Sequence, residues 1–431
     1  MDTRPVSLAS YWRILRENRN YRLLWMAQLV SEIGDWLYAV AVYSLLLDLT
    51  GAAYSIALAV VLQVLPQFFI GPMAGVLNDR VSRRKVMIAA DLARAVIVFC
   101  MVTVRTASMV PVLYLLLLLE TLMWAFFEPG RTAMVPLLTG GEEHETVVAN
   151  SLSSTTWSFN LAFGATLGGL IAAAFGRDAV FVLNAVSFLI SAFILRRLRV
   201  RETHLRPDTP LRPRDLVDFS PVLEGARYVF RNPRLLATML VKAGLGFMGA
   251  HWIILPILGE RTFPVGGSRL GAHRAGMLGM SLLLGARGVG SLIGPLIGGY
   301  WAGNNSPRLR RGILYGFLAI AAGYLWLSGA PTVWTAAAAV VLAHAGGSLI
   351  WVFSTTLLHF QTEDRFRGRV FSADFGFMTL AMALVTSVGG AAVDLGVSVR
   401  TIAFLTGVLA FVPALLWLGA QRLWTRNGEK V

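Results

Sequence analysis

Long apolar runs recur along almost the whole chain, and they narrow its fold more than any other feature. Stretches of roughly 18 residues or more can cross a hydrocarbon core of about 30 Å as helix. They fall near 21–49, 52–77, 85–104, 111–137, 147–174, 178–198, 235–259, 275–302, 311–329, 333–358, 370–395 and 398–420. Of the 431 residues 56% are hydrophobic and 14% charged, against roughly 45–50% and about 25% in soluble domains, so a water-soluble fold cannot hide this surface. Transmembrane strands would read as alternating segments of about ten residues, whereas a helix satisfies its own backbone in lipid at the lengths seen here. The sequence predicts an all-α membrane protein with twelve transmembrane helices.

Basic residues orient the spans. With a cytoplasmic N-terminus, 29 of the 38 Lys and Arg fall in cytoplasmic segments or toward the cytoplasmic ends of spans, Arg131 among them, and six in the opposite loops; Arg94, Lys242 and Arg287 lie deeper within spans. An excess of this kind places both termini in the cytoplasm. The formal charge of +14 then reflects loops facing an anionic leaflet. Because these residues are spread over seven segments rather than one face, no nucleic-acid partner is expected. The first residues lead into a charged amphipathic stretch with no short apolar region and cleavage site, so no removed leader is expected. The single Cys100 excludes an intrachain disulfide and a Cys-rich metal site. Neither a metal nor a cofactor is expected.

The domain pattern reads as a cytoplasmic amphipathic segment (1–20), a six-helix bundle (21–198), a cytoplasmic linker (199–234), a second six-helix bundle (235–420) and a tail (421–431). The linker opens with the Pro-rich stretch Arg206 to Pro213, which cannot propagate a helix. It continues with Val222, Leu223, Ala226, Val229 and Phe230 on one stripe, which suits a helix lying on the membrane surface. The halves look like copies. Gly71-Pro72-Met73-Ala74-Gly75 corresponds to Gly294-Pro295-Leu296-Ile297-Gly298, and Ser151 with Gly168-Gly169 corresponds to Ser372 with Gly389-Gly390 at nearly the same offset. Two pseudo-symmetric six-helix bundles suit alternating access around a midplane site, and one chain holding both predicts a functional monomer.

The loop after the second span reads Gly75-Val76-Leu77-Asn78-Asp79-Arg80-Val81-Ser82-Arg83-Arg84-Lys85. It resembles the G-x-L-x-D-R-x-G-R-[KR] signature of the major facilitator superfamily, with Ser82 where glycine is usual. The resemblance implies a cytoplasmic latch built from Gly75, Asp79, Arg80, Arg83 and Arg84, with Asp91 and Arg94 supporting it. Asp79 can pair within its own loop or accept donors from a helix N-terminus. Asn18 to Trp25, Gly34-Asp35, Asp91 to Ala95, Glu224 to Val229 and Arg367-Gly368-Arg369-Val370-Phe371-Ser372 look like the branch that includes bacterial macrolide and enterobactin exporters. Gly164-Ala165-Thr166-Leu167-Gly168-Gly169 is similar to the antiporter motif G-P-x-x-G-G with alanine for proline; its small face permits close helix packing.

A charge at mid-bilayer costs about 2.5–3.5 kcal/mol on insertion scales and therefore needs a partner or a wet cavity. Glu32 and Asp35 lie three apart on the first span and share a face, where mutual repulsion favours holding a proton. Glu120, Trp124, Glu128 and Arg131 form one stripe on the fourth span that suits a cavity wall. Glu120 is a candidate proton or cation site, whereas Glu128 and Arg131 can pair with each other. Lys242 and Arg287 are candidates for charge pairing or substrate contact, and Asp374 is expected beside Arg369 in a gate. The histidines in apolar spans read as hydrogen-bonded core residues. Trp36, Trp124 and Trp157 lie near polar positions, which fits either core packing or a half-apolar cavity for an amphipathic substrate.

These features favour a secondary transporter of the bacterial cytoplasmic membrane. The leading reading is proton-coupled efflux of small amphipathic molecules such as drugs, antibiotics or siderophore-like metabolites, a multidrug-resistance type of function. An importer or facilitator on the same fold, or a non-transport membrane protein, stays open. No nucleotide-binding loop, H-E-x-x-H pair or G-x-S-x-G elbow is present to suggest an enzyme.

Overall fold

In lipid an apolar segment has no partner for its backbone except itself, and the described chain folds accordingly into helices. The computed structural model describes residues 7–200, 202, 220–266, 271–303, 305–363 and 366–422. The Pro-rich stretch of the linker and the last nine residues of the tail lie outside the described residues. A short α1 (Leu8–Glu17) precedes α2 (Arg19–Thr50), α3 (Ala53–Arg80), α4 (Arg83–Cys100), α5 (Val110–Leu138), α6 (Glu143–Phe175) and α7 (Arg177–Arg196). After α8 (Ser220–Phe230) come α9 (Pro233–Leu245), α10 (His251–Ile257), α11 (Ala272–Ala302), α12 (Ser306–Ser328), α13 (Val333–Gln361), α14 (Arg367–Asp394), α15 (Val399–Leu409) and α16 (Phe411–Ala420). Taking α9 with α10, and α15 with α16, as single interrupted spans, the described residues hold twelve helices long and apolar enough to cross a membrane.

The chain packs as two compact units, Met1–Val42 with Phe69–Asp218 and Tyr43–Phe68 with Phe219–Val431. In the first unit, Ser7 and Ser10 form a capping box that starts α1. Ile14 of that helix is buried while Leu8 and Trp12 are exposed, as suits a helix lying at an interface. Ile14 joins Tyr21, Leu24, Met87, Phe127, Met134, Val148 and Leu195 in one apolar cluster. This cluster ties α1 to α2, α4, α5, α6 and α7. Gly176, at φ +88°, supplies the left-handed residue that lets α7 follow α6 with no loop.

The second unit takes in residues 43–68, which are sequentially part of the first six spans. The hydrogen bonds give a local reason. The N–H groups of Ala53 and Tyr54, unpaired at the start of α3, donate to Asp394 Oδ1 and Oδ2 at 2.7 and 2.9 Å, a carboxylate placed where a helix N-terminus favours it. Arg261 donates to the Gly51 carbonyl at 2.7 Å. The span formed by α9 and α10 is interrupted by a 3-10 turn at Gly246–Ala250. There its backbone lies against α14, so close that a Cβ on Gly249 would sit 2.6 Å from the Met382 carbonyl oxygen. Thr386 donates to the Gly249 carbonyl at 2.8 Å, satisfying a backbone group the interruption exposes. Helix α8, expected from the apolar stripe in the linker, contributes Val229 to a cluster with Leu235, Met239, Leu358, Phe366 and Val370.

Candidate functional site

In the first unit three intramembrane carboxylates gather around one cation. Arg94, on the buried face of α4, donates from Nη2 to both carboxylate oxygens of Asp35 at 2.8 Å and from Nε to Glu120 Oε1 at 2.8 Å. Asp91, one turn back, lies 3.7 Å from Nη1. The Phe188 ring of α7 lies 4.0 Å beneath the guanidinium, and Tyr38 donates from its hydroxyl to Glu120 Oε2 at 3.3 Å. The side chains of Asp91, Arg94 and Glu120 are 0%, 1% and 7% exposed, while Asp35 is 21% exposed. Asp35 is therefore the most exposed member of the cluster. Arg94 and Asp91, expected as support for the loop after the second span, belong to this cluster instead. A guanidinium in the membrane goes to the carboxylates its planar fork can engage.

Glu32 shares the α2 face with Asp35 but has separate partners. Gln28 and Asn160 donate to its two oxygens at 2.9 and 3.3 Å. Gln28 in turn accepts from Arg131 Nη1 at 3.0 Å, and Arg131 holds Glu128 through Nε at 2.8 Å and through a short Nη2 contact. The α5 stripe thus divides between two networks, Glu120 in one and Glu128 with Arg131 in the other. Trp124 is half-buried between them along the helix. Trp36 and Trp157 meet edge to face at 5.6 Å.

The loop between α3 and α4 is knitted to the end of α7. Asp79 pairs with Arg83 at 3.2 Å, within its own loop. Arg83 also donates to the carbonyls of Asn78 and Ala133 at 3.2 and 3.0 Å, and Arg84 to that of Leu198 at 2.6 Å. Arg80 is exposed, and a Cβ on Gly75 would meet nothing within 4 Å. Ser82 caps α4, accepting from Lys85 N–H at 3.3 Å and donating to Glu202 at 2.7 Å. The serine thus has work that glycine could not do. Glu202 also accepts from Arg83 N–H at 2.7 Å, and the loop pattern gave no sign of that anchor.

In the second unit Lys242 bonds Asp374 at 2.5 Å with the Trp351 ring 4.6 Å away. Asp374 is thus paired with Lys242, whereas Arg369, its expected neighbour, reaches Glu224 of α8 at 2.5 Å. The burial of Asp374, 1% exposed, explains the choice: a desolvated carboxylate needs a partner at its own depth. Arg367 and Gly368 open α14. Arg287 lies over the Trp252 ring at 4.1 Å. Nearby, His251 and His344 stack edge to face at 5.0 Å, and the His344 ring nitrogen meets the Tyr324 hydroxyl at 3.3 Å.

Replacing Lys242 by methionine should strand the Asp374 carboxylate, and replacing Asp374 by leucine should strand the ammonium. Replacing both should recover most of the lost stability, with a coupling of about 2 kcal/mol. Thermal unfolding of the four proteins in detergent measures this, and additive losses would show that the pair does not interact.

On α6, a Cβ on Gly164 would lie 2.5 Å from Trp36 Cβ, and one on Gly168 would lie 2.3 Å from the Leu37 carbonyl oxygen. Gly169 is buried beside them. The small-residue face therefore seats α2, which carries Asp35.

Comparison with known proteins agrees with this architecture. The sequence profile of the family described as transmembrane secretion effector matches residues 9–423. The uncharacterized MFS-type transporter YfiS of Bacillus subtilis is 27% identical over 418 residues, 95% of each chain. The putative bacilysin exporter BacE of Bacillus amyloliquefaciens is 25% identical over 372 residues, 86% of this chain and 87% of its own. Macrolide efflux protein A of Streptococcus pyogenes is 26% identical over 220 residues, 51% of this chain and 53% of its own. A variant of the nucleoside transporter NupG shares the fold at a TM-score of 0.74 and 12% identity, over 93% of this chain and 99% of its own. A peptide-bound POT family transporter does so at 0.73 and 13%, over 94% and 96%. With twelve spans, buried intramembrane charges and a profile matched along nearly its whole length, the chain belongs to the transmembrane secretion effector family of the major facilitator superfamily.

Proposed function

We propose that the protein is a proton-coupled exporter of small amphipathic organic molecules, working by alternating access in the cytoplasmic membrane with both termini in the cytoplasm. The observation that carries the reading is the Arg94 cluster. One guanidinium faces the carboxylates of Asp35, Asp91 and Glu120. Three carboxylates face one guanidinium, so a proton on one of them brings the cluster closer to charge balance. Asp35, the most exposed member, is where that proton enters and leaves. Neutralising it weakens its two bonds to Arg94 while Glu120 keeps the guanidinium in place. This supplies an equilibrium that a proton gradient can bias. Export, rather than import, is favoured by relatives described as exporters or efflux proteins. Both halves needed for rocking lie in one chain, so a monomer suffices.

The test is uptake of labelled erythromycin and of ethidium into inverted vesicles containing the wild type or Asp35→Asn, with and without an imposed proton gradient. Gradient-driven uptake should appear in the wild type and fall by at least about tenfold in Asp35→Asn, as is usual when a positioned proton carrier is lost. Wild-type uptake that persists after the gradient is collapsed would rule out the coupling.

A further inference from the structure

On the face of the first unit that carries α1, five arginines line one concavity. Arg19 at the start of α2, Arg84 in the first turn of α4, and Arg196, Arg197 and Arg199 at the end of α7 surround a cavity of about 550 Å³, with Leu198 as its remaining wall. The scaffold is fixed. Asn20 donates to the Arg199 carbonyl at 2.7 Å and accepts from Arg199 N–H at 3.2 Å, and Arg84 Nη1 donates to the Leu198 carbonyl at 2.6 Å. The acid beside them, Glu202, is engaged by Ser82 and by the Arg83 N–H. So much positive charge in one hollow calls for an anion with several oxygens, because guanidinium forks pair bidentately with phosphate.

An apolar track leads into the same cavity. Along α7, Val182, Val186, Leu189, Ile190 and Phe193 are exposed at helical spacing on one face. At its end the Arg197 guanidinium lies 4.3 Å over the Phe193 ring. Leu8 and Trp12 of α1 are likewise exposed.

We propose that this hollow binds the headgroup of an anionic phospholipid, its phosphodiester held by the arginines and an acyl chain laid along the α7 stripe. Basic pockets at the ends of transmembrane helices take such headgroups. A soluble phosphate compound would use the arginines but leave the stripe unused; the stripe is what selects lipid.

Native mass spectrometry of the detergent-purified full chain, supplied with equal amounts of cardiolipin and phosphatidylethanolamine, tests the proposal. Cardiolipin adducts should dominate on the wild type. In R196K/R197K/R199K, which keeps the charge and hence the topology signal, they should fall about threefold, because an ammonium cannot form the fork. In R196Q/R197Q/R199Q they should fall about tenfold or more. The control R308Q/R311Q, in the second unit, should retain them. Undiminished cardiolipin on the lysine variant would reduce the hollow to a diffuse charged surface and overturn the built site. Inorganic pyrophosphate displacing cardiolipin from the wild type at equal concentration would overturn the lipid as its ligand. Wild-type protein that takes up cardiolipin no more than phosphatidylethanolamine would overturn the proposal even if a variant fails to fold.

Discussion

Arg94→Gln should yield a protein that is both unstable and inactive, with the loss of stability reversed in part when Asp35→Asn and Glu120→Gln are added. The guanidinium is 1% exposed and bonds two carboxylates directly. Removing one partner of a buried ionic group costs about 3–5 kcal/mol, chiefly because it leaves the other charge desolvated and unpaired. Here two carboxylates lose their cation at once, and Asp91 loses its nearest. Glutamine fills part of the volume but offers one short donor group in place of the fork that reaches both sides. Neutralising Asp35 and Glu120 removes the stranded charges and should restore a folded, monodisperse protein without restoring gradient-driven transport. Melting temperature in detergent and vesicle uptake read the two effects separately. A single variant that melts with the wild type would show that the carboxylates do not depend on Arg94. A triple variant that still transports against a gradient would move proton coupling elsewhere.

The membrane spans were legible because their signal is repeated in every residue of a long segment. An apolar run must become a helix whatever surrounds it, and the run near 147–174 became Glu143–Phe175. The span near 235–259 was legible as a span but not as an interrupted one. Its break at Gly246–Ala250 exists because α14 lies against it, and a single segment does not state its neighbours. Charged sites followed the same division. Glu32, Asp35, Glu120 and Arg94 stood out because an ionised residue in lipid must be accounted for. Their grouping did not: sequence spacing links Arg94 to Asp91 and to the loop before it, whereas the structure links it across 59 residues to Asp35 and across 26 to Glu120. Gln28 and Asn160, which hold Glu32, are neutral and so less conspicuous. Their presence inside apolar spans was the available signal.

The two networks of the first unit have different chemical characters. Glu32 is surrounded by amide donors, and the cation beyond it is already satisfied by Glu128. Asp35 is joined to a cation that it shares with two more acids. A proton arriving at Asp35 therefore changes what Arg94 does, whereas one arriving at Glu32 mainly rearranges hydrogen bonds. This difference is why the proposed coupling is placed on Asp35 although both carboxylates lie on the same helix face.

Whether Asp35 reaches Arg94 depends on where α2 rests, and small residues set that. On one side a Cβ at Gly34 would fall 2.2 Å from Asn184 Oδ1 of α7, and on another a Cβ at Gly168 would fall 2.3 Å from the Leu37 carbonyl oxygen and 2.9 Å from Leu37 Cα. A side chain can swing aside, but a helix backbone carbonyl cannot, so any substitution at Gly168 must separate α6 from α2. Gly168→Ala should lower stability by about 1–3 kcal/mol, the usual cost of overpacking, and Gly168→Leu should yield no folded protein. Gly71→Ala is the control, since a Cβ there meets nothing within 4 Å; it should be neutral or gain up to about 1 kcal/mol from helix propensity. Transport should suffer more than stability in Gly168→Ala. A displacement of most of an ångström lengthens the 2.8 Å bonds between Asp35 and Arg94 beyond useful hydrogen-bond range. Gly168→Ala with wild-type melting and wild-type gradient-driven uptake would show that α2 is not held by this contact. Wild-type melting with abolished uptake would show that α2 shifts without unfolding, and that the position of Asp35, rather than its mere presence, governs coupling.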